Sequence, residues 1–135
     1  MAKFAATDYK VMVGTVNLST SLQSVEVSME ADDLETTAFG TEWRSRIGGL
    51  KQGSVTLSFF QDFAAASVDA TLYPLFNTAA TVVITPLSTA VSATNPSYTF
   101  TALVNQYTPF ASSVGDIATL SVTWPVSGTI TRATV

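Results

Sequence analysis

The sequence predicts a mainly β fold, an antiparallel β-sandwich or barrel with one packed α-helix and a long inter-strand loop, in a single domain over 1–135. Three observations carry this. Thr and Val recur along the chain, and apolar and polar residues alternate with period two over most of it, as in half-buried strands. The period lengthens to three or four residues once, at Val68, Leu72, Leu75, Phe76 and Ala79, which marks one amphipathic helix. The order of strands, one helix and then strands is that of two packed layers with a single helix against them.

Lys10 to Val13 is a short apolar stretch ending at Gly14, and predicts a first strand. From Gln23 to Glu30, Val25, Val27 and Met29 point one way and Glu26, Ser28 and Glu30 the other, which predicts a half-buried strand with an acidic outer face. Residues 31–53 differ. Asp32, Asp33 and Glu35 open the stretch, Arg44, Arg46 and Lys51 close it, and Gly40, Gly48, Gly49 and Gly53 punctuate it. A long loop is expected there. Loops of about 20 residues in so small a domain are generally functional or disordered. Phe39, Trp43, Ile47 and Leu50 argue against plain disorder, since apolar residues at that density seek a partner surface.

From Ser54 to Asp62 the alternation resumes, with Val55, Leu57 and Phe59 opposite Thr56 and Ser58. The helix is expected at about 66–77, with Asp62 or Ser67 capping its start and Pro74 ending or kinking it. Thr81 to Leu87 is a β-branched run broken by Pro86, and Ser88 to Pro96 is a small, polar loop. Ser97 to Asn105 sets Tyr98, Phe100, Ala102 and Val104 against Thr99, Thr101, Leu103 and Asn105. Gly115-Asp116 opens the last long strand, with Ala118, Leu120, Val122 and Trp124 on one face and Ile117, Thr119, Ser121 and Thr123 on the other. Pro125 and Gly128 interrupt it, leaving a C-terminal tail at about 129–135.

Composition narrows the function. With 47% hydrophobic residues in 135, a core forms without staples. The chain has no cysteine and no histidine, which removes disulfides, thiolate metal sites, cysteine nucleophiles and the commonest general base. No serine sits in a Gly-x-Ser-x-Gly elbow, and none of Lys3, Lys10 or Lys51 follows a Ser-x-x-Lys pattern, so no enzyme activity and no cofactor are expected. The charged fraction is 12%, about half that of ordinary soluble domains, which suggests surface destined for partners. Six basic residues against ten acidic ones, net charge −4, argue against a grip on nucleic acid. The N-terminus lacks the apolar stretch of a signal peptide, and no run reaches the roughly 18 apolar residues of a membrane span. The product is expected to stay in the cytoplasm that makes it, with no membrane insertion.

The Asp32-Asp33…Glu35 cluster lacks the alternating ligands and turn glycine of a calcium loop, and a salt-bridging surface suits it better. Gly48-Gly49 near Lys51 lacks phosphate-loop spacing. Trp43 with Arg44 and Arg46 is a poor phosphate track beside so many carboxylates. A contact between copies fits better, the negative start of one loop meeting the positive end of another.

Three stretches carry a resemblance. Thr36-Thr37-Ala38-Phe39-Gly40, Trp43-Arg44-Ser45-Arg46 and Gly48-Gly49-Leu50-Lys51-Gln52-Gly53-Ser54 resemble the long-loop region of tail tube (major tail) proteins of long-tailed, siphovirus-type phages, especially those infecting actinobacteria. Phe59-Phe60-Gln61-Asp62-Phe63 and Val68-Asp69-Ala70-Thr71-Leu72-Tyr73-Pro74-Leu75 are similar to their strand-to-helix passage. Gly115 to Gly128, followed by Thr129-Ile130-Thr131-Arg132-Ala133-Thr134, looks like their closing strand and tail. Together these stretches follow one another along the chain in the family's order.

The resemblance implies hexameric rings whose sheets join into one β-barrel around a channel. It implies stacking of rings into a virion tail tube, with tape measure, tail terminator and distal tail proteins as further partners. DNA would pass through without specific binding. On this basis the polar strand faces, Glu26, Ser28, Glu30, Thr56, Ser58, Thr99, Thr101, Thr119, Ser121 and Thr123, are expected to line the lumen. The ring-to-ring contact is expected from Asp32, Asp33, Glu35, Phe39, Trp43, Arg44, Arg46 and Lys51. The competing readings are a tail terminator ring, a capsid decoration protein or a receptor-binding sandwich.

Overall fold

The computed structural model describes residues 3–135 and is a mainly β sandwich. The strands are β1 (Lys10–Val13), β2 (Val16–Asn17), β3 (Leu22–Glu35), β4 (Arg46–Phe60), β5 (Ala79–Thr85), β6 (Ser97–Leu103), β7 (Thr119–Pro125) and β8 (Thr131–Ala133). One helix, α1 (Val68–Leu75), separates β4 from β5. All pairings are antiparallel. The larger sheet runs β2-β1-β5-β6-β8 and the smaller β3-β4-β7.

The core is the set of inward-facing alternates. Val55, Leu57, Phe59, Leu120, Val122 and Trp124 come from the small sheet, and Val11, Val13, Val82, Phe100 and Ala102 from the large one. Val68 and Leu72 of α1, with Leu18 and Val104, complete it. Trp124 is fully buried, and its Nε1 donates to the Gln106 carbonyl at 2.9 Å, so the largest core side chain leaves no polar atom unpaired.

The structure corrects several sequence-based boundaries. Residues 31–53 are not a loop between strands. They are the outer half of one long β3–β4 hairpin, whose ladder runs to Glu35 opposite Arg46 and leaves only residues 36–45 as the turn. A register shift between Ala31 and Asp33 is the one irregularity in that outer half. The helix is shorter than 66–77. Ala66 and Asn77 both have left-handed backbones, with φ of 58° and 65°, and no helix passes through such residues. Phe76 and Ala79 therefore lie outside it. Ser67 stands at the N-cap without a side-chain cap bond, and the Asp62 carboxylate accepts instead from the Ala64 N–H in the preceding turn. Pro74 sits in the last turn, which ends one residue later. The last long strand begins at Thr119 and not at Gly115, and the C-terminal tail contains β8, paired with β6.

The loop from Ser88 to Pro96 is built around Asn95, only 2% exposed. Its Nδ2 donates to the carbonyls of Thr89 and Ala90, both at 3.1 Å, and its Oδ1 accepts from the Leu87 N–H at 3.0 Å.

Leu72→Ala removes a fully buried side chain from α1 and should cost about 2–5 kcal/mol in a urea unfolding experiment. A loss below about 1 kcal/mol would mean that α1 is not part of the core.

Candidate functional site

Alternation along the small sheet sorts its residues onto two faces. Cross-strand register aligns Glu26 with Thr56 and Thr123, Ser24 with Ser58 and Ser121, and Ser28 with Ser54 and Pro125. Thr119 lies opposite Phe60, and Glu30 opposite Gln52. All of these project away from the core, since Val55, Leu57, Phe59, Leu120, Val122 and Trp124 are the buried alternates. Thr56 and Thr123 hydroxyls are 3.2 Å apart, Ser58 donates to Ser121 at 3.4 Å, and Gln52 donates to Glu30 at 3.3 Å. The result is one continuous face of hydroxyls with one amide and two carboxylates, Phe60 and Pro125 towards its ends, and no lysine or arginine.

Eight of the ten residues expected on a channel wall share this face. Thr99 and Thr101 do not. They sit on β6, paired with Val83 and Thr81, on the outer side of the other sheet. The two sheets of a sandwich face opposite ways, so these ten residues do not form a single surface. Strand periodicity tells which side of a strand is polar, but not to which sheet the strand belongs.

The hairpin beyond Gly53 stands clear of the body. Gly53 marks the last packed layer: a β-carbon there would lie 2.9 Å from Ile130 Cδ1 and 3.2 Å from the Ser28 carbonyl. From Met29 to Lys51 nearly every residue is exposed on both faces. Phe39 and Trp43 at the turn are 108% and 82% exposed. The charges expected to meet a neighbouring copy pair within the hairpin instead. Arg46 bonds Asp33 at 2.7 Å and Arg44 bonds Glu35 at 3.5 Å, across the two arms. Neither pair is directly cross-strand: Arg46 lies opposite Glu35 and reaches diagonally to Asp33, which faces Gly48, while Arg44 reaches Glu35 from the turn. Asp32 falls at the register shift and Lys51 opposite Ala31, and neither makes an ion pair among the described residues. No group of three carboxylates converges for a metal there among the described residues.

The sequence analysis leaves residues 106–114 without a reading and puts Gly115 to Ala118 in the last strand, whereas Asn105 to Ala118 form one irregular segment. It runs along the outer edge of β7 and is anchored to the body. Gln61 donates through Nε2 to the Pro109 carbonyl at 2.8 Å, and the Tyr107 hydroxyl donates to Asp69. Burial and the bond to Asp69 push the Tyr107 phenol up to about 12. Phe110 stacks on Phe63 with centroids 5.7 Å apart, yet stays largely exposed, as do Val114 and Ile117. No motif in the sequence signals these contacts.

No family model matches the sequence, and no curated protein matches it. Solved structures do. A chain of the virion of a native gene transfer agent particle superposes with a TM-score of 0.78 at 12% identity, over 97% of this chain and 99% of that one. A chain from the tail of an empty gene transfer agent particle, with C6 symmetry, gives 0.61 at 14% identity, over 82% and 81%. This chain shares their fold. The first likeness spans nearly the whole of both chains.

Because Tyr107 has a higher pKa folded than its ordinary value of 10, its contribution is present below pH 10 and is lost as pH rises through about 12. Thermal unfolding between pH 10 and 12 should fall more steeply for the native chain than for Tyr107→Phe. Parallel curves would show that the phenol is not held in this contact.

Proposed function

We propose that the chain is the tube subunit of a phage or phage-like tail, closing into hexameric rings that stack into the conduit for a genome. The observation that carries this is the outer face of the β3-β4-β7 sheet: polar, faintly acidic, without a cation, and bounded on both sides by strands that pair with no further strand. An exposed edge is a template for another strand. When β3 of one copy lies beside β7 of the next, the small sheets become one barrel and the polar face becomes its wall.

The dimensions suit the role. Six copies contribute 18 strands. At about 4.8 Å between strands and about 40° of tilt the barrel measures about 36 Å between backbones, and about 26 Å between opposing side chains, wider than a nucleic-acid duplex. The six-fold count is taken from the symmetry of the gene transfer agent tail. Phosphates approaching this wall meet carboxylates and hydroxyls, with nothing to exchange for their counterions. Screening over ~8 Å confines the repulsion to the wall itself, so the duplex is kept hydrated and moving.

The hairpin supplies the contact between rings. Its ladder from Ala31 to Glu35 adds about 17 Å of reach, and the exposed Phe39 and Trp43 are the aromatic anchors for an adjacent subunit. With the ion pairs satisfied internally, this contact rests on apolar burial. Tape measure, terminator and distal tail proteins would occupy the lumen and the two ends. The role is structural, without catalysis, and its place is the virion tail.

Negative-stain microscopy of the purified protein should show hollow tubes. Particles that stay monomeric at high concentration would overturn the reading, and single rings that never stack would favour a terminator. The absence of cysteine allows a sharper test. Glu26→Cys should react with a high-molecular-weight maleimide as a monomer and be shielded in tubes, whereas Thr99→Cys should react in both. Phe39→Ser with Trp43→Ser should fold normally and close rings without elongating.

A further inference from the structure

The two free edges of the small sheet are not alike. Along β3, from Gln23 to Glu35, no side chain bonds the outward backbone among the described residues. Along β7 the outward groups follow from the inward ones. Val126 N–H donates to Gly53, and the Ala118 carbonyl accepts from Gln61, so even-numbered residues bond β4 and odd-numbered ones point away. The outward donors of β7 are therefore Thr119, Ser121 and Thr123, since Pro125 has no N–H.

Two of these three are already taken. The Thr123 N–H donates to Gln106 Oε1 at 2.9 Å, and the Thr119 N–H donates to Ser112 Oγ at 3.0 Å. Both acceptors are side chains of the segment anchored by Tyr107 and Pro109. They stand where the carbonyls of an added strand would stand. Their direction fits this: residue 106 lies beside 123 and residue 112 beside 119, so the segment runs antiparallel to β7, with six residues spanning the four of the strand. Yet the segment makes no ladder with β7, and Pro109 within it lacks a donor.

We infer that Gln106 and Ser112 are a removable guard on the β7 edge, which must release Thr123 and Thr119 before a second copy's β3 can pair there. Side-chain acceptors suit a temporary cover. They satisfy the donors while the subunit is alone, blocking the runaway pairing that an open edge invites. Each bond is of ordinary strength, so a backbone ladder of several rungs displaces both once a neighbour is aligned. Only Ser121 remains open, too little to start a ladder. Polymerisation is thereby delayed until copies meet in the right register. The inference rests on the ring reading above.

The test compares assembly in variants at exposed positions that the fold does not depend on. Gln106→Met keeps the volume and removes the acceptor. Combined with Ser112→Ala, it should form tubes sooner and lower the concentration at which they first appear, by roughly fivefold for each bond removed. Gln106→Glu retains an acceptor and should assemble no faster than the native chain. Hydrogen exchange reads the guard directly: the Thr119 and Thr123 amides should be protected in the native monomer and exchange rapidly in the double variant, while core amides stay protected in both. Unchanged or lost assembly in the double variant, or acceleration by Gln106→Glu as well, would overturn the guard while native tubes still upheld the ring. Absence of tubes from every variant would instead overturn the ring reading, and with it the role of the guard.

Discussion

The structure depends on the strict two-residue alternation of β3, β4 and β7. It makes one small sheet that is dry on one side and wet on the other. The dry side brings Leu57, Phe59, Val122 and Trp124 out of water, and needs a second layer to cover it. The five-stranded sheet and α1 supply that layer. The wet side stays uncovered, and with no cation and two carboxylates it is unsuited to holding anything anionic. The core and the proposed channel wall are thus opposite faces of the same three strands.

A sheet of three strands leaves two edges, and the chain treats its edges differently. The larger sheet ends in β2 and β8, of two and three residues, too short to recruit a partner. The smaller sheet ends in fourteen residues of β3 and seven of β7. One is bare and the other carries borrowed side-chain bonds. A low charge content, which leaves few of the usual deterrents to edge pairing, makes this difference matter.

Much of this is legible in the residues. The alternation at Gln23–Glu30 and Ser54–Asp62 announces the polar face, and the change of period at Val68 announces the helix. What is not legible has physical causes. The outer hairpin has both faces in water, so no apolar period distinguishes it from a loop, and Gly48, Gly49 and Gly53 look like turn residues although all three lie within β4. Thr99 and Thr101 repeat the alternating pattern of Thr119 and Thr123, but sheet membership depends on pairing across long separations, which local pattern does not encode. β8 is three residues long and has no period to detect. Gln106 and Ser112 act through position alone, and glutamine and serine in a loop carry no signal of their own.

The hairpin that projects past Gly53 has a further consequence. It touches no part of the core, so its length is uncoupled from the stability of the body. Adding two residues to each arm preserves every inward and outward facing and moves the tip by about 7 Å, whereas adding one inverts the facings beyond it. The arm can therefore lengthen or shorten in even steps, as a ruler attached to a finished domain, and chains with hairpins of different length need not differ in the sandwich at all.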